Sequence, residues 1–288
     1  MIGSRGCEIQ FARVYSVVQA TTSRQAAGAM TLHPLVSGHT RPLPDRFQHR
    51  EPPRDAAQLA QRAEHLAGLT LGEVAATHGV LVPLDLRRAK GWVGQLLERA
   101  LGASAGSRAE PDFPALGIEL KSLPVDGAGQ PLESTFVCSI ELSQIADSEW
   151  ESSRLLKKLS HVLWIPVEGQ KRLPVAERRI GSPIFWRPNV EELAQLKLDW
   201  ENLCLLIAQG RTGEISAHLG QVLQVRPKAA KGSSRRRTTD EDGALYDEQP
   251  KGFYLRTAFT RAIVSRSLWV NVPQKTLPFE SGSGRTER

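Results

Sequence analysis

The sequence predicts a mixed α/β fold in which a central sheet is flanked by helices. Helical signals occupy six stretches and strand signals five, and the two kinds alternate along the chain. A hydrophobic content of 40% over 288 residues supplies an ordinary core.

Residues 1–52 show no sustained periodic pattern. They are rich in Arg, Thr, Ser, Gly and Pro and end in RPLPDRFQHREP, so a mostly disordered extension is expected. The start is basic, but no apolar signal-peptide core follows it. From Asp55 the pattern turns helical: Leu59, Ala63 and Leu66 share a face, with Asp55 as the expected cap. A second helix over 70–78 has Thr70 as cap and Glu73 three residues on, the two halves of a capping box. A third over 91–101 buries Val93, Leu96, Leu97 and Ala100. Glu98 follows the apolar pair directly and is placed at the edge of the core, facing a cleft or pairing with Arg99.

Strands are expected over 118–123 and 135–142. The turn Asp126-Gly127-Ala128-Gly129 lies between them, which reads as a hairpin or meander. A short helix over 152–159 precedes an apolar strand over 162–167, stopped by Glu168-Gly169. A long amphipathic helix over 191–209 ends at Gly210. A strand over 222–225 leads into Arg226-Pro227, and 231–249, polar and Gly/Ser-rich, reads as a mobile loop. A strand over 252–255 and a helix over 257–267 follow, and the tail over 275–288 is expected to be disordered. The folded domain is thus predicted over 53–274.

Composition excludes some functions. No run of apolar residues is long enough to span a bilayer. Cys7, Cys138 and Cys204 are far apart and form no C-x-x-C pair, which suits a reducing, cytoplasmic setting. His161 and His218 stand alone, without zinc spacing, and read as structural. The net charge is +6, but residues 1–54 hold seven Arg against three acids, or +4, which leaves +2 for the body. Bulk charge therefore supports a nucleic-acid partner weakly. The local run from Arg226 to Arg237 is stronger, with six basic residues and no acid. It fits either a phosphate-backbone contact or a solvated loop.

The chemistry is concentrated in 112–121, DFPALGIELK. Residues two apart on a strand share a face, so Glu119 and Lys121 point one way, with Lys121 on an exposed strand face, while Ile118 and Leu120 point into a core. Pro114 and Gly117 put a turn before the strand, which lets Asp112 fold back toward Glu119. Two carboxylates then meet one ammonium. Hard oxygen ligands suit Mg²⁺, and the lysine can orient a water or stabilise charge growing on a phosphate. By itself the pattern is not specific. With 31 acids and 10 lysines, about one acid-x-lysine triplet is expected by chance, and the chain has one, at Glu119.

The longer stretch KGWVGQLLERALGASAGSRAEPDFPALGIELK, residues 90–121, closely resembles the MutH-type DNA mismatch-repair endonucleases. TFVC (135–138), LWIPVEG (163–169), RRIGSPIFW (178–186), RPKAA (226–230) and GFYL (252–255) continue the resemblance in the family's order, over about 55–270. Family chains begin near Met30 or later, which fits an over-called start codon. The resemblance implies a restriction-endonuclease-like fold in two lobes around a DNA cleft. It implies a metal site of Asp112, Glu119, Glu98 and the backbone carbonyl of Leu120, holding Mg²⁺ with Mn²⁺ as a substitute. Lys121 would be the catalytic lysine, and Lys158 would lie near the scissile phosphate.

The resemblance also implies DNA contacts by Lys90, Gly91 and Phe136 at the minor groove. Arg226, Pro227 and Lys228 would read the major groove, and Tyr254 would sense adenine N6. From the residues alone, Tyr254 reads instead as a core tyrosine in a strand. The implied activity is nicking of the unmethylated strand, 5′ to guanine, at hemimethylated GATC. The protein would act as a monomer, with MutL as activator and MutS acting indirectly. Two alternatives stay open: a GATC-type restriction endonuclease that cuts both strands unaided, and a DNA-binding protein without catalysis.

Overall fold

The computed structural model describes residues 50–270, apart from 107, 142–143, 146, 217–218, 229–235, 240–244 and 249; in 236–239, 245–248 and 268–270 only the backbone is described. The expectations for 1–49, for 271–288 and for His218 fall outside the described residues. The described chain already touches the domain at Arg50, whose guanidinium donates to the Ala100 carbonyl at 3.1 Å.

Three helices come first: α1 (Ala56–Glu64), α2 (Leu71–Thr77) and α3 (Trp92–Leu101). Asp55 caps α1 by accepting from the Gln58 amide at 2.7 Å. The capping box of α2 is present in both directions between Thr70 and Glu73. Arg62, a buried cation in α1, donates to the carbonyls of Glu51 at 2.7 Å and Leu101 at 2.8 Å. It thereby ties the segment before α1 to the electronegative C-terminus of α3.

This contact gives a sharp expectation for truncation. Deleting residues 1–49 is expected to leave melting temperature and activity unchanged. Deletion through Asp55 removes a cap and a buried cation's partner, and is expected to cost about 2 kcal/mol. Thermal melts of the two truncations check this; a protein lacking only 1–49 that fails to fold would make the extension part of the domain.

Two sheets follow. In the first, β1 (Glu119–Val125) runs parallel to β3 (Val162–Glu168), which pairs antiparallel with β4 (Ile184–Trp186). In the second, β2 (Thr135–Ser139) and β5 (Leu223–Pro227) both pair antiparallel with β8 (Lys251–Leu255). α4 (Arg154–Leu159), α5 (Val190–Ala208) and α6 (Thr257–Val270) complete the frame. The fold class is α/β as expected, with two corrections. There is no single central sheet: the mixed sheet β1-β3-β4 is joined by a separate antiparallel sheet. Nor do the strands over 118–123 and 135–142 form a hairpin. The Asp126 turn does fold back, with the Leu132 amide bonding the Pro124 carbonyl at 2.9 Å. The chain then leaves, because β2 takes β8 as its partner.

A third correction concerns 231–249. Within it β6 (Arg236–Thr239) and β7 (Leu245–Glu248) pair antiparallel. β6 carries two Thr and β7 a Leu-Tyr pair, and Asp-Gly lies between them in sequence, which is a hairpin signal. Arg236 registers opposite Glu248 and Arg237 opposite Asp247. Two of the six basic residues in the run 226–237, Arg236 and Arg237, therefore lie in a ribbon that carries its own acids.

The first sheet separates two cores. Ile118, Leu120, Leu163 and Ile165 pack with α1–α3. Leu123, Val162 and Trp164 pack on the other side with α4, α5 and the second sheet. The alternation of β1 thus holds, but both of its faces are covered. Glu119 and Lys121 lie on the side turned toward α4 and β2.

Candidate active site and DNA-reading face

The turn before β1 builds the first half of the site. Phe113 and Ile118 exchange backbone hydrogen bonds around a short 3-10 turn, Pro114–Leu116, closed by Gly117 in the left-handed region at φ 63°. Asp112 is thereby brought back onto β1, where its Oδ2 accepts from the Leu120 amide at 2.8 Å. The expected fold-back of Asp112 is present.

Glu119 is only 2% exposed. Lys121 Nζ donates to its Oε1 at 2.6 Å, and Lys158 Nζ donates to its Oε2 at 2.7 Å. Lys158 also donates to the Glu110 carbonyl at 3.2 Å. It reaches the site because Leu155 and Leu159 bury the same face of α4 in the core. Lys121 was expected on an exposed strand face. It is instead largely buried, at 13% side-chain exposure, because the second core covers that face.

Glu98 projects from α3 into the same field. Burial raises its carboxyl above the usual range first, and the charges of Asp112 and Glu119 raise it further. Asp112 is raised by burial and then by Glu119, against the opposing pull of the Leu120 amide and the two lysines. The alternative partner for Glu98, Arg99, is therefore not needed to explain it. All five predicted catalytic side chains converge: three carboxylates and two ammonium groups.

The donor set fits a divalent cation. With every group charged, three negative charges face two positive ones, and the excess carboxylate charge is what a hard cation relieves. Each oxygen of Glu119 keeps a second lone pair beside its lysine. The carboxylates are not gathered in advance: among the described residues no three His, Cys, Asp or Glu side chains meet at metal-ligand distance. Among the described residues, neither cysteine is poised as a nucleophile. Burial pushes the Cys138 thiol up to about 11 and the Cys204 thiol up to about 12.

The other predicted residues fall in two places. Lys90 and Gly91 are exposed at the start of α3, with Gly91 as its N-cap, on the helix that carries Glu98. Phe136, Arg226, Pro227, Lys228 and Tyr254 gather on the second sheet. Phe136 and Tyr254 are cross-strand partners with ring centroids 5.3 Å apart, edge to face. The Arg226 guanidinium lies 5.8 Å from the Tyr254 ring centroid, and the Lys228 ammonium 5.1 Å from that of Phe136. Tyr254 is half-buried, and burial holds its hydroxyl above the usual range, so it stays a hydrogen-bond donor.

Two supporting residues escaped the sequence reading. A Cβ on Gly252 would stand 2.8 Å from Phe136 Cε2 and 3.0 Å from the Cys138 carbonyl, so only glycine lets that ring lie against β8. Asp199, buried in α5, accepts from the amides of Gln221, Val222 and Leu223 at 2.7–2.9 Å and anchors the start of β5. Neither position carries a spacing signal, since each acts on a segment distant in sequence.

Carboxylates close enough to raise one another's proton affinity, beside two ammonium groups, suit hydrolysis of a phosphodiester, which places the protein among the nucleases. The family model for MutH, described as DNA mismatch repair enzyme MutH, matches residues 101–199. A DNA mismatch repair protein MutH from Shewanella sp. (strain MR-7) is 48% identical over 215 residues, covering 75% of this chain and 96% of the relative. The MutH of Serratia proteamaculans (strain 568) is 50% identical over 219 residues, covering 76% and 96%. The chain belongs to the MutH family of DNA mismatch repair enzymes.

Proposed function

We propose that this protein is a Mg²⁺-dependent endonuclease that nicks the unmethylated strand, 5′ to guanine, at hemimethylated GATC sites. Mn²⁺ would substitute for Mg²⁺. The observation that carries the reading is the buried Asp112–Glu119–Lys121 cluster completed by Lys158. In this reading Asp112, Glu119, Glu98 and the Leu120 carbonyl hold the cation, which supplies Lewis-acid stabilisation of charge on the phosphate. Lys121, buried beside Glu119, would orient the attacking water as an ammonium, or take its proton after giving up its own as a neutral amine. Lys158 offers positive charge to the scissile phosphate.

The duplex would lie in a cleft bordered by α3 on one side and the second sheet on the other. Lys90, Gly91 and Phe136 would contact the minor groove. Arg226, with Pro227 and Lys228, would read the major groove, where arginine is the common bidentate partner of guanine. The endonuclease domain would span residues 53–274, with Arg50 and Glu51 of the preceding segment bonded to it. The protein would work in the cytoplasm as a monomer, activated by MutL downstream of MutS.

The test is nicking of hemimethylated GATC plasmid with Mg²⁺, with and without MutL. A repair nickase is weak alone and stimulated by MutL; a protein that cuts both strands unaided would be a restriction endonuclease. Methyl sensing has its own test. The N6-methyl group adds bulk at the adenine edge, where the Tyr254 ring would meet it. Tyr254→Ala is expected to collapse the ratio of nicking rates on unmethylated and methylated duplexes, with a smaller loss on unmethylated DNA. Arg226→Ala is expected to weaken specific recognition by roughly 1–3 kcal/mol. A wild-type ratio in Tyr254→Ala would return Tyr254 to the core.

A further inference from the structure

We infer that Ser134, the residue before β2, and Ser139, the last of β2, are positioning residues that hold Arg226 and Lys228 in a DNA-reading orientation; this rests on the reading of those cations proposed above. Arg226 Nη1 donates to Ser134 Oγ at 2.6 Å, and Lys228 Nζ donates to Ser139 Oγ at 2.7 Å. Both cations are exposed, and each is held from two directions, by a hydroxyl and by an aromatic ring. An exposed Arg or Lys left alone samples many rotamers and loses that freedom when it binds. A hydroxyl that accepts from a cation still has its own O–H to donate.

The strand geometry shows why two serines five residues apart can serve one face. Side chains alternate along a strand, so Ser134 and Phe136 share a side and Ser139 would fall on the opposite one. A bulge intervenes: Phe136 registers with Tyr254, but Cys138, not Val137, registers with Phe253, and Ser139 with Gly252. The extra residue returns Ser139 to the side of Phe136. Tyr254, Gly252 and Arg226, linked through the β5–β8 register, lie on that same side. The aromatic pair, both cations and both hydroxyls therefore form one surface. Holding the cations in place before DNA arrives lowers the ordering cost of binding.

The experiment measures binding of GATC and scrambled duplexes, and nicking kinetics, for Ser134→Ala, Ser139→Ala, Ser134→Thr, Arg226→Ala and the Ser134→Ala/Arg226→Ala pair. Ser134→Ala is expected to lose roughly three- to tenfold in GATC affinity and in KM, with kcat and scrambled-duplex binding little changed. Ser139→Ala should lose a similar or smaller factor. Ser134→Thr, which keeps the hydroxyl, should restore most of the loss. The double variant should be no worse than Arg226→Ala. Additive losses in the double variant, or wild-type affinity in Ser134→Ala where Arg226→Ala is impaired, overturn the positioning role. Wild-type behaviour of Arg226→Ala would instead overturn the DNA-reading assignment beneath it. Circular dichroism and melting temperature matching wild type exclude a folding defect as the source of any loss.

Discussion

Replacing Glu119 with glutamine is expected to abolish nicking and to weaken the fold at the same time. Glu119 is the hinge of the cluster: it is 2% exposed and accepts from two lysines, one on each oxygen. An amide of the same shape accepts on one side only, so one ammonium faces the NH₂ end in a buried setting. Removing one partner from a buried ion pair costs about 3 kcal/mol or more, because an uncompensated charge remains. The loss of activity has a separate origin, in the missing anionic ligand, and is expected to exceed about a hundredfold. Lys121→Ala should match the activity loss with a milder stability change, since Lys158 still neutralises Glu119. Loss of supercoiled plasmid and urea melts in parallel read both quantities. Near-normal nicking by either variant would remove the catalytic assignment, and an unfolded Lys121→Ala would make that lysine structural.

Asp112→Asn is expected to move activity and stability in opposite directions. Burial, then the charge of Glu119, raises the Asp112 carboxyl above its ordinary value. The folded state therefore binds that proton more tightly than the unfolded chain. Stability from this group is greatest at low pH and falls as pH rises from the unfolded value through the folded one. Glu98 behaves alike, for the same first cause. At neutral pH both carboxylates oppose folding until a cation neutralises them. Asn keeps an oxygen for the Leu120 amide, now bonded at 2.8 Å, and removes only the charge.

The metal-free variant is therefore expected to melt higher than wild type while nicking falls by orders of magnitude. Wild type should gain thermal stability from Mg²⁺, more at pH 8 than at pH 5, and Asp112→Asn should lose most of that gain. Calorimetry with and without Mg²⁺ at the two pH values decides it. A variant that melts lower than wild type without metal would mean that the Asp112 charge is already compensated in the folded protein.

The local parts of this protein were legible in its sequence. The capping box at Thr70 and Glu73, the Asp55 cap and the ends of α3 need only neighbouring residues, and they stand where expected. Asp112, Glu119 and Lys121 span ten residues, so one turn and one strand bring them together. Helical spacing put Glu98 at the edge of a cleft, but its place in the metal site, like that of Lys158, was reached only through family resemblance, because neither lies on the same local element as the others.

Tertiary structure decided what depends on distant partners. β2 follows β1 after one turn yet pairs with β8 more than a hundred residues on, since backbone hydrogen-bonding groups on a strand carry no address. The burial of Lys121 depends on what packs over its face, and a polar residue in an alternating pattern says nothing of that. The place of Ser139 turns on a bulge that reverses the strand's alternation. Sequence periodicity thus determined which residues share a face within an element. Only the packed chain decided which faces meet, because strand pairing and burial are settled by contacts far apart along the chain.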